Sequence, residues 1–164
     1  VDRSVHAAGR LVATMLDDGH RVGVATLGGD EYWLPPAPGA DHEDRAVRDL
    51  ALHPAFSTVP SETIADPVEF QRRLRRRLPP GAQLLVVSPL CDRFTGHALG
   101  RLRAHGFPAT VISPDPTADR TPGHRLARIA RDIELRTLRN AGVPIVDWKW
   151  DEPLESALEG GRRQ

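Results

Sequence analysis

Gln83-Leu84-Leu85-Val86-Val87-Ser88 is an apolar run without alternation, the form taken by a strand covered on both faces. Two later runs repeat it, Ala109 to Ser113 (ATVIS) and Val143 to Trp148 (VPIVDW), and each begins just after a Gly-containing turn. Working back towards the amino terminus, Arg21 to Leu27 (RVGVATL) ends in Gly28-Gly29. Glu31 to Leu34 (EYWL) follows the Gly-Gly-Asp turn and stops at Pro35-Pro36, so the pair reads as a β-hairpin.

Helical patterns fill the intervals. Ser4 to Asp17 sets Ala7, Ala8, Leu11, Val12 and Met15 on one face and ends at Asp18-Gly19. Asp66-Pro67 is an N-cap followed by proline at the first helical position, opening a helix that closes before Pro79-Pro80-Gly81. Arg93 to Ala104 closes at His105-Gly106. Pro122 to Ala141 closes at Gly142, with Leu126, Ile129, Ile133 and Leu138 as its expected apolar stripe. Weaker helices cover Glu43 to His53 and Pro153 to Leu158. This order predicts an α/β fold: a doubly wound, mostly parallel sheet with one antiparallel edge hairpin, in a single domain spanning residues 1–164. The functional crevice of such a sheet lies at the carboxyl ends of its strands. The segments to inspect are therefore Gly28 to Asp30, Ser88 to Asp92, Ser113 to Thr117 and Asp147 to Asp151. Asp2-Arg3-Ser4, set directly before a helix, has the form of one more strand-end loop, and the expectation is a central strand upstream of Val1 that makes the chain the carboxyl-terminal part of a longer protein.

Composition narrows the function. Basic and acidic residues balance at 22 each, so no net field draws the chain to nucleic acid. No apolar stretch is long enough to cross a membrane. Cys91 is the sole cysteine, which excludes an intrachain disulfide and a multi-cysteine zinc site. All basic residues but Lys149 are arginine, which reads as the imprint of a GC-rich genome; Arg72, Arg73, Arg75, Arg76 and Arg77 cluster at the end of one helix, where cations suit the macrodipole. No His-x-x-x-His pair and no Gly-x-Ser-x-Gly elbow is present. Trp148-Lys149-Trp150 alternates, so one ring is placed for burial and the other for contact.

Asp2 and Ser4 are the most informative polar residues. A carboxylate and a hydroxyl two residues apart on a loop can share one hard cation, and Mg²⁺ accepts a few oxygen ligands while keeping several waters; an N-cap serine beside a dipole-compensating carboxylate explains the same pair. On these residues the chain resembles von Willebrand factor type A domains, whose metal-ion-dependent adhesion site begins with Asp-x-Ser. More specifically, the Asp-Arg-Ser opening, DGHRVGVATLGGD (18–30), LLVVSPLCD (84–92), VISPDPTADRTPG (111–123) and AGVPIVDWKWDEPL (141–154) look like the A-like domain of the family called domain of unknown function fifty-eight. The resemblance implies a degenerate adhesion site. Asp2 and Ser4 fit its first two positions, and His6 stands where a second serine is usual. Thr63 takes the loop threonine, with Thr58 as a rival. Ser88-Pro89 replaces the fourth-strand aspartate, leaving Asp92 as the nearest carboxylate.

The cofactor such a site admits is Mg²⁺ or another divalent cation, and histidine shifts the preference towards zinc or nickel. The function implied is a non-enzymatic protein-interaction module on a membrane-anchored parent, linked to a MoxR-type AAA+ ATPase, with no nucleic-acid partner. The alternative is a metal-assisted hydrolase of doubly wound fold using Asp2, although a phosphatase of the haloacid dehalogenase type would want an aspartate where Ser4 stands.

Overall fold

A computed structural model describes residues 2–28, 30–57, 66–91, 93–115, 122–149 and 152–161. The fold is α/β, and the chain divides into two compact units, Val1–Asp66 and Pro67–Gln164.

The first unit runs α1 (Asp2–Asp17), β1 (Val22–Ala25), β2 (Trp33–Ala37) and α2 (Ala40–Leu52), followed by a single 3₁₀ turn at Pro54–Phe56 that the sequence patterns did not predict. Val12 and Leu16 of α1 bury their side chains with Leu34, Ala46 and Leu50, and Val5, Ala8, Val22, Val24, Tyr32 and Phe56 pack around them. α1 begins at Asp2 rather than at Ser4, so the expected loop forms the first helical turn, where an acidic residue suits the positive end of the dipole.

β1 and β2 are antiparallel, pairing Val22 with Ala37, Val24 with Leu34 and Ala25 with Trp33. The strand expected to stop at Pro35-Pro36 instead continues through both prolines. Proline has no N–H for a ladder, and the strand tolerates it because the register shifts between Val22 and Val24. Gly23 lies at that irregularity: a Cβ there would stand 2.8 Å from the Leu34 carbonyl oxygen and 3.0 Å from the Pro36 ring. Thr26 fastens the hairpin end, its hydroxyl donating to the Asp30 carbonyl at 2.8 Å and accepting from the Tyr32 N–H at 3.0 Å. The Tyr32 ring packs against His53 and Phe56, and its hydroxyl donates to Asp49 Oδ2 at 2.5 Å.

The second unit runs α3 (Pro67–Arg77), β3 (Leu84–Val87), α4 (Phe94–Ala104), β4 (Ala109–Pro114), α5 (Pro122–Asn140), β5 (Ile145–Trp148) and α6 (Leu154–Gly161). β3, β4 and β5 form a parallel sheet in that order, with Val87 beside Ile112 and Ser113 beside Asp147. Sequential order with crossovers of one hand puts both connecting helices on the same face. Leu99 of α4 and Leu135 and Leu138 of α5 accordingly share one core with Ala109, Val111 and Val143, against Leu84, Val86 and Ile145. Trp148 alternates with the residues facing that core; it is buried, donates from Nε1 to the Glu152 carbonyl at 2.7 Å, and α6 packs against its strand.

α4 and α5 end alike. Gly106 and Gly142 adopt φ of 87° and 70°, while the next N–H reaches back to Leu102 and Leu138 respectively, closing each helix where the sequence places its glycine. Among the described residues the strands thus fall into two sheets, one antiparallel pair and one parallel triplet, where the sequence pattern suggested one mixed sheet.

Two outcomes are expected of the first unit. Gly23→Ala forces the Leu34 carbonyl and Pro36 apart, and urea denaturation should show a loss of about 1–3 kcal/mol. Burial, then the hydrogen bond to Asp49 and its charge, push the Tyr32 phenol well above its ordinary range, with Arg45 opposing. A raised folded value means that the stabilisation is whole below about pH 10, where the unfolded phenol titrates, and is lost as pH rises towards the folded value. Tyr32 is the sole tyrosine, so absorbance at 295 nm should show no phenolate until the unit unfolds, and Tyr32→Phe should remove the alkaline loss of stability. Phenolate appearing near pH 10 in the folded chain would refute the assignment.

Candidate functional site

The carboxyl ends of the parallel strands carry one polar row. Ser88 follows Val87 in register with Ser113, which pairs with Asp147. All three alternate in phase with residues of the core that α4 and α5 cover, so they head the same face. Ser113 is fully buried, and Ser88 faces Thr95 of α4 across 3.3 Å between hydroxyls.

Into this row α5 sends Arg131, which is 4% exposed. One guanidinium nitrogen, Nη2, donates to the Ser113 carbonyl and hydroxyl, each at 3.1 Å, and to Asp147 Oδ1 at 2.6 Å. Arg139 reaches the other oxygen of Asp147 at 3.6 Å. Arg131 Nε is buried and takes no hydrogen-bond partner among the described residues. A buried cation survives only when opposed by charge and acceptors, and Ser113 and Asp147 supply both. The arrangement locks α5 to two strand ends and commits the polar atoms that a strand-end reaction would otherwise use.

The loop after β3 is constrained in another way. Leu90 is wholly buried with φ at 56°, a left-handed backbone that costs a side-chain-bearing residue about 1–2 kcal/mol. Its N–H donates to Ser88 Oγ at 3.2 Å. Cys91 beside it is exposed, and its Sγ lies 3.6 Å from the Pro89 carbonyl oxygen.

The residues expected to hold a cation are placed differently. Asp2, Ser4 and His6 all lie on α1. Positions two apart on a helix are turned about 200° from each other, so Ser4 and His6 do not converge on one ion. Ser4 is half-buried and His6 exposed. Thr63 and Asp92 lie outside the described residues, as do Thr58 and Trp150. Among the described residues no group of three His, Cys, Asp or Glu is arranged to hold a metal ion. Ser88, Ser113 and Asp147 were within reach of the sequence as strand-end residues. Arg131 was not, although an arginine four and seven positions ahead of Leu135 and Leu138 shares their side of the helix, and that spacing is the signal that could have found it.

Charge gives the second unit a further surface. The neutral chain divides unevenly: residues 1–66 hold 5 arginines against 11 carboxylates, and residues 67–164 hold 17 basic groups against 11, so the halves carry −6 and +6. Arg72, Arg73, Arg75, Arg76 and Arg77 are all exposed on the last turns of α3. Glu69 pairs with Arg72 and Arg73. Arg75 Nη1 stands 3.2 Å from both ring nitrogens of His105 at the end of α4, and exposed Arg101 sits one turn before that histidine. Phe70 and Phe94 hold the two helices together edge to face, their centroids 5.8 Å apart. The ends of α3 and α4 thereby become one arginine-rich platform.

The Arg131 tie makes a direct prediction. Arg131→Met keeps the volume but leaves Ser113 without its donor and Asp147 without its buried counter-charge. Urea denaturation should show a loss of about 2–4 kcal/mol, below the range of a fully buried pair because Asp147 is partly solvated. A change within 0.5 kcal/mol, on the order of a surface substitution, would refute the tie. Comparison of the chain with protein-family models, curated proteins and solved structures gives no match.

Proposed function

We propose that the chain is a non-enzymatic protein-interaction module that binds an acidic protein surface through the arginine platform on α3 and α4. The observation that carries this reading is the cluster of five exposed arginines from Arg72 to Arg77, joined by Arg101 and His105 on a unit of net charge +6. Cations suit a helix carboxyl end, but capping accounts for the last turn, and the cluster extends beyond it. The guanidinium fork matches carboxylates with two parallel hydrogen bonds, which favours an acidic partner. Phe70 and Phe94 turn towards each other, away from the stacking role they would need on unpaired bases.

The finer readings belong to the same proposal. A von Willebrand factor A-like fold is supported by the order helix, hairpin, helix and then three sequential parallel strands. The family resemblance adds a MoxR-type AAA+ ATPase as the partner to test and a membrane-anchored parent.

The test is binding to the purified MoxR-type ATPase from the same genome, measured by biolayer interferometry at several salt concentrations. Affinity should fall steeply with salt, and Arg75→Glu/Arg76→Glu/Arg101→Glu should weaken it at least tenfold while the circular dichroism spectrum is unchanged. Equal affinity of the variant and the parent would refute the platform, and no binding at low salt would refute the partner. A chelator that abolishes binding would also refute the arginine platform as the contact.

A further inference from the structure

One member of the arginine platform changes its charge near neutral pH. His105 is exposed at the end of α4, and Nη1 of Arg75 on α3 lies 3.2 Å from both of its ring nitrogens. A nitrogen equally close to both stands over the face of the ring, because in the ring plane the same distances would drive it into Cε1. The contact is therefore a guanidinium resting on an imidazole. It holds while the ring is neutral and presents an electron-rich face. Protonation sets one cation against another.

The surroundings leave that added charge uncancelled. On α3, Glu69 is committed to Arg72 and Arg73, one turn away from Arg75. On α4 itself, exposed Arg101 lies one turn before the histidine. Towards α5, Arg103 is held by the Ala141 carbonyl and Arg139 by Asp147. The turns on either side, 78–83 and 106–109, contain no charged residue. Among the described residues no carboxylate pairs with His105.

We infer that His105 makes the platform pH-sensitive: protonation of its ring releases Arg75 and adds a positive charge, so an acidic partner binds more tightly as pH falls. The window is that in which histidine titrates, about pH 8 to pH 5. The inference rests on the acidic-partner reading and names the regulation of that surface. Linkage is reciprocal, so a partner that prefers the protonated ring takes up hydrogen ions as it binds.

The probe is a hexa-aspartate peptide, acetylated and amidated at its ends, whose carboxylates stay ionised above about pH 5.5. Isothermal titration on the full chain at constant ionic strength should show affinity rising about two- to fivefold from pH 8 to pH 5.5, the worth of one exposed ion pair. At pH 6.5 the binding heat should differ between MES and bis-Tris buffers, as uptake of a proton requires. His105→Gln should bind with one affinity at both pH values and one heat in both buffers. His105→Lys should bind more tightly than the parent at pH 8, with an unchanged circular dichroism spectrum. A parent whose affinity is flat with pH, or a pH dependence that survives His105→Gln, would overturn this inference and leave the platform standing. Peptide binding undiminished in Arg75→Glu/Arg76→Glu/Arg101→Glu, or no binding at any pH, would overturn the platform and this inference with it.

Discussion

The second unit is organised around a cation that has been taken out of water. Arg131 cannot remain charged and buried unless strong acceptors surround its guanidinium, and those acceptors are supplied by Ser113 and Asp147, on neighbouring strands of one sheet. The requirement reaches in both directions. It fixes how far β4 and β5 are offset, since the serine and the aspartate must share a row, and it fixes the rotation of α5 about its own axis. Once Arg131 points at the strand ends, Leu135 and Leu138 must point at the sheet, and Leu126, Ile129 and Ile133 must point away from it.

That rotation is the part of the fold the sequence did not disclose. Strand positions were legible because the runs at 84–87, 109–113 and 145–148 are unbroken and bounded by turn residues. Helix ends were legible because Gly106 and Gly142 supply left-handed stops. In α5, however, two apolar sets compete, and hydrophobic spacing alone cannot choose between them; the choice is made by a hydrogen-bonding requirement carried by an arginine, a residue type normally assigned to the surface. A similar reason accounts for Pro35-Pro36. Proline usually ends a strand, and here Pro35 and Pro36 stand as a bulge opposite the single Gly23, a geometry that depends on the partner strand having no Cβ at that position.

The candidate site was legible in the same uneven way. The rule that chemistry gathers at strand ends led to Ser88, Ser113 and Asp147 before any coordinates. The pair that carried the cation expectation, Asp2 and Ser4, became part of a helix, and along it Ser4 and His6, two positions apart, are turned away from each other. A loop and a helical turn can share the same residues, and the sequence Asp-x-Ser is compatible with both.

The division of charge between the units has a consequence for the behaviour of the chain in solution. With an isoelectric point near 7.2, the chain has no overall repulsion at neutral pH to hold copies apart, yet each copy presents a surplus of six charges of one sign on one unit and of the other sign on the next. Electroneutrality in such a chain is not electrical silence. Molecules of this kind attract one another through their opposite patches in dilute buffer and are released by added electrolyte, so moderate ionic strength should dissolve them better than pure water does.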